Sequence, residues 1–139
     1  MIQHDPRDPG GKTILVVDDD KSACAFFDTL LSRDGFEITI ENSGEDALDL
    51  LRSDAYQKFD LLVLDLMMPG YGGYEVLKEM QQGDYQKIPI FIVTARALDP
   101  GAVEMIRNES NVHEFWRKPV DPIEFRRKIH VTLNTVPKR

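Results

Sequence analysis

Side chains able to do chemistry stand directly after four predicted strands of this sequence, three of which are apolar. They are the consecutive acids Asp18, Asp19 and Asp20, the single acid Asp65, the hydroxyl of Thr94 and the ammonium group of Lys118. Short, continuous apolar segments are typical of parallel strands that helices cover on both faces. Because ligands of open parallel α/β sheets bind outside the carboxyl ends of the strands, this arrangement predicts one common site for all four positions.

The residue types at these positions favour a metal ion and a phosphoryl group. Carboxylates brought this close would raise one another's pKa unless a cation shared them. The candidate ligands are all oxygens, which suit Mg²⁺ better than a soft metal. A lysine and a hydroxyl facing that ion would complete a site for a dianionic phosphoryl group, stabilised by charge and position. Asp20 is left out of this site, because Lys21 starts a helical pattern and Asp20 fits its N-cap.

The apolar segments alternate with segments of helical periodicity. The predicted strands are residues 13–17, 36–40, 61–64, 88–93 and 112–117. The first predicted helix covers 21–34, and the fourth covers 99–110. The second begins at the capping pair Ser43 and Asp46, and the fifth begins at the N-cap Asp121. The third contains Val76, Leu77 and Met80. This alternation predicts an α/β fold, a doubly wound five-stranded parallel sheet with five helices and right-handed crossovers.

The composition of the 139 residues fits one domain and excludes several functions. Domains of about 100–150 residues are the commonest size, and 42% of this sequence is hydrophobic, enough to bury a core. The formal net charge of −7 argues against direct nucleic-acid binding by this chain, because that function needs clustered Lys and Arg. We expect no membrane contact, since no apolar run approaches the ~20 residues of a membrane span and the first residues do not resemble a signal peptide.

Cys24 is the single cysteine, so no intramolecular disulfide can form and a cytoplasmic location is expected. Along the chain we predict a flexible N-terminal extension over 1–11, one domain over 12–134, and a C-terminal tail or the start of a linker over 135–139. The three histidines show no metal-ligand spacing. The basic stretch Arg126-Arg127-Lys128 is interpreted as a solvated helix face.

Four motifs together resemble the receiver domains of two-component response regulators. They are Ile14-Leu15-Val16-Val17-Asp18-Asp19, Leu62-Val63-Leu64-Asp65-Leu66-Met67-Met68-Pro69-Gly70, Val93-Thr94-Ala95 and Lys118-Pro119. Any one of them alone would be weak, but all of them in this order and at these spacings are a strong indication. The resemblance covers roughly residues 12–133. It implies the flavodoxin-like strand order 2-1-3-4-5 and a phosphorylation-dependent signalling switch rather than an enzyme.

By this resemblance, Asp65 accepts a phosphoryl group from a sensor histidine kinase, a phosphotransfer protein or a small acyl phosphate. The implied Mg²⁺ ligands are Asp18, Asp19, Asp65 and the backbone carbonyl of Met67. Lys118 pairs with a phosphoryl oxygen, and Thr94 turns its hydroxyl toward the phosphate and draws the following loop with it. Phe115 then moves inward as an aromatic switch. These loop changes, after strands four and five, alter the binding of an unknown downstream protein.

The resemblance also implies a cis peptide bond at Lys118-Pro119 and a glycine, Gly73, where helix three opens. The sequence departs from the family pattern before strand five, where Asn111-Val112-His113-Glu114 replaces a Gly-Ala pair. Helix four is therefore expected to be reshaped, on a face with strand five and helix five that could carry dimer contacts. Met67 and Arg96 stand at two variable positions that control the attacking water, and crowding of that water predicts slow self-dephosphorylation.

Several alternative functions differ in the residues that they require. The chain could act as a switch without its own output domain, or as the receiver part of a longer regulator or hybrid kinase. A phosphohydrolase of the haloacid dehalogenase type needs an acid two residues after the nucleophile, where Met67 stands. A flavodoxin-like nucleotide binder needs a phosphate loop after strand one, where the acids would repel phosphate. A receiver that no longer accepts phosphate would be a constitutive protein-binding module.

Overall fold

A computed structural model of the chain describes residues 5–70 and 72–137. The strands within these residues are β1 (Thr13–Val17), β2 (Glu37–Glu41), β3 (Leu61–Asp65), β4 (Ile90–Thr94) and β5 (Val112–Arg117). The α-helices are α1 (Lys21–Arg33), α2 (Gly44–Arg52), α3 (Gly72–Glu79), α4 (Pro100–Arg107) and α5 (Pro122–Leu133). All strand pairs are parallel, in the order β2-β1-β3-β4-β5. The predicted doubly wound sheet with its order 2-1-3-4-5 is therefore confirmed.

Helices cover both faces of the sheet, and each face has its own hydrophobic core. Side chains of a strand point alternately to opposite faces; in β1, Leu15 and Val17 join one core and Ile14 and Val16 join the other. Helices α2, α3 and α4 pack on the first core, and α1 and α5 on the second. All residues of β3 and β4 are buried, whereas the edge strands β2 and β5 are partly exposed. The buried central strands fix the positions of the residues that follow them.

Short polar side chains start the helices by capping free backbone amides. The Oδ1 atom of Asp20 accepts hydrogen bonds of 2.9 and 3.4 Å from two amides in the first turn of α1. Ser43, Asp99 and Asp121 cap α2, α4 and α5 in the same way. These caps confirm the helix starts predicted from the sequence. Beyond α1, Gly35 has a φ of 104°, in the left-handed region that favours glycine.

Two strands begin later than predicted because the preceding residues are used in turns. The Phe36 amide donates to the Leu31 carbonyl at 3.3 Å and so belongs to the end of α1, which leaves Glu37 as the first residue of β2. The Ile88 amide likewise closes a short 3₁₀-helix, and β4 begins at Ile90. In both places a turn takes the amide that a longer strand would have used.

The stretch before β5, where the sequence departs from the resembled family, contains a buried asparagine. The side-chain amide of Asn111 donates to the Met80 carbonyl at 3.0 Å, and its side-chain oxygen accepts from Gln81 at 2.9 Å. Helix α4 ends at Arg107, short of the predicted 110. The pairing of β4 with β5 shifts register between Ile90 and the next residue. Asn111 therefore ties this irregular connection to the end of α3.

The two ends of the described chain meet beside α5. Residues Pro9–Gly11 form a 3₁₀-helix, and the Val136 amide donates to the Arg7 carbonyl at 2.9 Å. The predicted extension and tail fall partly on residues 1–4 and 138–139, which lie outside the described residues, and the predicted domain boundaries stay predictions. In the part of the chain that the structure describes, the helices are too short or too polar to cross a membrane.

A buried polar cluster joins the end of α1 to α5. The Asp34 carboxylate accepts two hydrogen bonds of 2.8 Å from the Arg126 guanidinium. His130 lies between them and the chain end, with Nε2 2.9 Å from Asp34 and Nδ1 2.8 Å from the Thr135 hydroxyl. Arg126, interpreted from the sequence as part of a solvated face, instead binds Asp34. Burial raises the pKa of Asp34, but the hydrogen bonds from Arg126 and His130 outweigh burial and hold this pKa below its ordinary value.

We expect Asp34→Asn to lower the free energy of unfolding at pH 7 by about 2 kcal/mol. Breaking a fully buried ion pair costs roughly 3–5 kcal/mol, and the 37% exposure of the Arg126 side chain reduces that figure. Because the folded pKa of Asp34 is depressed, its stabilisation is complete above the ordinary value of 3.8 and is lost as the pH falls below it. Urea unfolding at pH 7 and pH 3 measures both effects.

The matched control is Asp49→Asn, which removes an exposed carboxylate from α2. We expect this variant to match the wild type within about 0.5 kcal/mol at both pH values. An Asp34→Asn protein whose stability declines with acid as steeply as that of the wild type would contradict the assignment.

Candidate functional site

Three carboxylates converge at the carboxyl edge of the sheet. Asp18 and Asp19 directly follow β1, Asp65 ends β3, and one oxygen of each lies within 4.8 Å of the others. Asp18 is 0% and Asp65 is 4% exposed, whereas Asp19 faces solvent. The sheet order explains this convergence, because β1 and β3 are neighbours and both end at this edge. The structure thus brings together the three acids that the sequence singled out.

Lys118 reaches the same cluster from the segment after β5. Its Nζ atom lies 2.6 Å from Asp18 Oδ2 and 3.5 Å from Asp65 Oδ2. The Lys118 amide donates to the Thr94 carbonyl at 2.8 Å, which fixes the backbone of this residue beside β4. The peptide bond from Lys118 to Pro119 is cis, as predicted. Burial lowers the pKa of Lys118, but the hydrogen bond and negative charge of Asp18 outweigh burial, so the pKa is raised.

Asp18 is held in a buried and negatively charged environment. Burial raises its pKa above the ordinary value, and the negative charge of Asp65 adds to the effect. Hydrogen bonds from Lys118 and from the Asp20 amide oppose the rise without cancelling it. Burial is therefore the main cause of the raised pKa, and Lys118 only partly offsets it. A divalent cation among these oxygens would add positive charge to the site.

The backbone that follows Asp65 holds this residue tightly. The Met67 amide donates to Asp65 Oδ1 at 3.0 Å, while the predicted metal contact of the Met67 carbonyl stays a prediction. The second residue of α3, Gly73, passes so close to β3 that a Cβ atom there would lie 2.1 Å from the Asp65 carbonyl oxygen. The Gly73 amide also donates to the Leu66 carbonyl at 3.0 Å. Only glycine permits this approach of α3 to the site.

Thr94 connects the site to the loop after β4. Its side chain is fully buried, and its hydroxyl oxygen accepts a hydrogen bond of 3.4 Å from the Arg96 amide. Its carbonyl accepts the Lys118 amide, so Thr94 contacts the segments after both β4 and β5. A change in the direction of the Thr94 hydroxyl would therefore break the hydrogen bond from the Arg96 amide and affect the loop after β4.

Phe115 lies in β5 and packs, partly buried, on the core formed by α2, α3 and α4. The Arg107 guanidinium lies over its ring, 5.8 Å from the centroid. The next residue, Trp116, points to the other face and packs 5.4 Å from the Phe125 ring. Sequence reasoning missed Arg107, because its position over Phe115 depends on how α4 packs against β5. The predicted switch role of Phe115 stays a prediction.

A cavity of about 550 Å³ opens beside Asp19. Asp19, Met67, Arg96 and Tyr74 are among the residues that line it. Met67 and Arg96, which the sequence singled out together, thus line one cavity with Asp19.

A doubly wound parallel sheet that gathers three acids, a lysine and a threonine at its carboxyl edge defines a class of α/β signalling domain. Within that class, the chain belongs to the response regulator receiver domain family, whose family model matches residues 14–130. It is a receiver domain of the kind found in two-component systems, and the resemblance inferred from the sequence is confirmed.

Known relatives agree with this assignment. The transcriptional regulatory protein AfsQ1 of Streptomyces coelicolor is 36% identical over 108 residues, covering 78% of this chain and 45% of the relative. Response regulator SaeR of Staphylococcus aureus is 29% identical over 125 residues, covering 90% of this chain and 52% of the relative. A crystal structure of a response regulator receiver protein from Burkholderia phymatum matches with a TM-score of 0.75 and 27% identity, covering 92% of this chain and 99% of that chain. The chain thus spans about half the length of the curated relatives.

Proposed function

We propose that Asp65 is the phosphoryl acceptor of a two-component signalling switch. The observation that carries this proposal is the position of the Lys118 ammonium, 2.6 Å from Asp18 and 3.5 Å from Asp65 in a buried pocket. An ammonium group between two acids can bind a phosphoryl oxygen as negative charge arrives at Asp65. Phosphoryl transfer depends mainly on such positioning and charge stabilisation. A histidine kinase or phosphotransfer protein is the proposed donor.

In the proposed transfer, a carboxylate oxygen of Asp65 attacks phosphorus. The phosphorus–nitrogen bond to the donor histidine breaks, and its electron pair returns to the imidazole nitrogen. With a small acyl phosphate as donor, the phosphorus–oxygen bond breaks and a carboxylate leaves with the pair. The product carries a mixed anhydride on Asp65, and Lys118 compensates part of its charge. The domain is proposed to assist its own phosphorylation and dephosphorylation and to have no other enzymatic activity.

The acidic cluster fits Mg²⁺. Its oxygens lie within 4.8 Å of one another and two of the three acids are buried, so water screens their negative charges poorly. Oxygen ligands of this kind suit a hard divalent cation. Asp18, Asp19 and Asp65 would hold the ion, with the Met67 carbonyl as the further ligand implied by the family. The bound ion would lower the repulsion between these acids and an incoming phosphoryl group.

The proposed output begins at Thr94. A phosphoryl group on Asp65 would offer an acceptor to the Thr94 hydroxyl, which now accepts from the Arg96 amide. Turning the hydroxyl would release that amide and rearrange the loop after β4. Phe115, on the neighbouring strand, is the proposed second element of this switch, and its inward movement would break its contact with Arg107. These changes would alter the binding of a downstream protein.

The proposed setting is a cytoplasmic signalling pathway. The net charge of −7 supports the proposal that this chain does not itself bind nucleic acid. The face formed by α4, β5 and α5 is proposed for dimer contacts, because β5 carries Phe115 and α4 follows the loop after β4. Any output region of a longer protein would respond to this face.

The test is the intact-protein mass after incubation with acetyl phosphate and Mg²⁺. We expect one added phosphoryl group on the wild type, and no adduct with EDTA or with Asp65→Asn. Asp49→Asn, which removes an exposed carboxylate from α2, should be modified like the wild type. An unmodified wild type would favour a constitutive protein-binding module, and an adduct on Asp65→Asn would exclude Asp65 as the acceptor.

We expect Met67→Ala to shorten the lifetime of the phosphorylated protein severalfold. Met67 lines one cavity with Asp19 and Arg96, and its amide donates to Asp65 at 3.0 Å. A smaller side chain would admit the water that attacks phosphorus. The measurement is loss of the phosphoryl group by intact-protein mass after removal of acetyl phosphate. Met105→Ala makes the same change at an exposed position of α4 and should leave the lifetime unchanged. A longer lifetime for Met67→Ala would contradict the crowding of water by Met67.

A further inference from the structure

A side chain of the connection from β2 to α2 contacts the backbone of the acidic site. Asn42 directly follows β2, and its side-chain amide donates to the Asp18 carbonyl at 3.0 Å and to the Cys24 sulfur at 3.4 Å. The Cys24 thiol donates to the same carbonyl at 3.3 Å. Two side chains, one from the β2–α2 connection and one from α1, therefore converge on one backbone oxygen of the site.

These contacts complete the fixation of Asp18. Its amide donates to the Glu41 carbonyl at 3.1 Å. Its carboxylate accepts from the Asp20 amide at 2.9 Å and from the Lys118 ammonium at 2.6 Å. With the Asn42 contact, the amide, the carbonyl and both carboxylate oxygens of Asp18 are all engaged. The Asp18 carbonyl accepts from side chains outside the acidic cluster, so one of its hydrogen bonds can be removed without changing an acid or Lys118.

We propose that Asn42 is a positioning residue for the phosphorylation site. It acts through the Asp18 carbonyl to hold the turn over residues 18–20, and so keeps the carboxylates of Asp18 and Asp19 at the separation that a shared Mg²⁺ requires. This inference rests on the proposed function.

The position of the Asp19 carboxylate depends on this turn more than the position of the Asp18 carboxylate does. Within residues 5–70 and 72–137, no hydrogen bond or ion pair holds the Asp19 carboxylate, which faces solvent. Its position is therefore set by the backbone of the turn. A thiol is a weak donor, so Cys24 alone would hold the Asp18 carbonyl less firmly than the amide of Asn42 does. Residues that orient metal ligands typically change metal affinity by roughly 10–100-fold when they are removed.

The test is a titration of the full chain with MgCl₂, followed by ¹⁵N–¹H NMR without any phosphoryl donor. We expect Asn42→Ala to raise the Mg²⁺ dissociation constant about tenfold. The matched control is Ser43→Ala, the next residue, which removes the cap of α2 at 3.0 Å from the Asp46 amide. Ser43→Ala should lower the melting temperature and leave the dissociation constant unchanged.

The outcomes separate the two proposals. A wild type without Mg²⁺-dependent shifts would overturn the metal site of the proposed function and this inference with it. A wild type that binds Mg²⁺ while Asn42→Ala binds equally well would overturn this inference alone. Equal losses of affinity in Asn42→Ala and Ser43→Ala would also overturn it, because a general loosening of the connection would then account for both.

Discussion

Gly73→Ala is expected to destabilise the protein by about 3 kcal/mol, a fall in melting temperature of about 10 °C for a domain of this size. An added Cβ atom would lie 2.1 Å from the Asp65 carbonyl oxygen and 2.4 Å from the Leu66 Cα atom. Both are backbone atoms of β3 or its end, so no side-chain rotation can relieve the overlap. Helix α3 would have to move away from the sheet, and Asp65 would move with the strained backbone.

Intrinsic helix propensity makes the opposite prediction, which sharpens this test. Alanine is favoured over glycine by roughly 1 kcal/mol inside a helix, so Gly73→Ala would stabilise α3 if propensity decided. The matched control is Gly83→Ala, where φ is +54° and no atom lies within 4 Å of the added Cβ. That change should cost only the roughly 1–2 kcal/mol of a left-handed alanine. Thermal unfolding of both variants measures the difference, and a Gly73→Ala protein at least as stable as the wild type contradicts the close approach.

Lys118→Met is expected to slow phosphorylation by acetyl phosphate about a hundredfold, the effect of removing one preorganised charge-stabilising group. The ammonium lies 2.6 Å from Asp18 and 3.5 Å from Asp65, and methionine occupies similar space without the charge. Lys118→Arg should recover only part of the rate, because a planar guanidinium cannot replace a compact ammonium between two carboxylates. The measurement is the initial rate of adduct formation by intact-protein mass.

A stability measurement separates this chemical role from a structural one. Without Lys118, the buried Asp18 and Asp65 face each other, so the pKa of Asp18 should rise further above its ordinary value. An acid whose folded pKa is raised costs stability at high pH, and this cost disappears once the pH falls below the ordinary value of 3.8. Relative to the wild type, Lys118→Met should therefore lose more stability at pH 7 than at pH 3. Adding Asp18→Asn should restore stability at pH 7 but not the rate, and recovery of the rate would count against the chemical role.

The sequence was sufficient to locate the ends of the central strands, and with them the candidate site. Short apolar runs encode the buried parallel strands β1, β3 and β4, and β5 follows them as a more polar edge strand. The carboxyl ends of these four parallel strands meet at one edge of the sheet. Asp18, Asp65 and Lys118 lie there because each of them ends or directly follows one of these parallel strands. The helix caps followed for a similar reason, since an Asp or Ser before a helical pattern has a local hydrogen-bonding role.

Contacts between surface segments could not be predicted in this way. His130 and Asp34 are 96 positions apart, and their hydrogen bond depends on the packing of α1 against α5. Arg126 looked like part of a solvated basic face because periodicity does not show which long side chain bends toward a buried acid. The amide of Asn42 reaches the Asp18 carbonyl only because an edge strand ends beside β1. Such contacts depend on side-chain direction, which spacing along the chain does not specify.

The hydrogen bond from the Val136 amide to the Arg7 carbonyl brings the two ends of the described chain together, which is useful for protein engineering. These residues precede β1 and follow α5, so both lie toward the amino edge of the sheet, opposite the acidic cluster. Five-residue strands at about 3.3 Å per residue separate the two edges by roughly 16 Å. Fluorescent labels or host proteins attached at residues 7 and 136 would leave the carboxyl edge open to a donor. A short bridge between these two residues would also allow circular permutation, with new ends opened in an exposed loop.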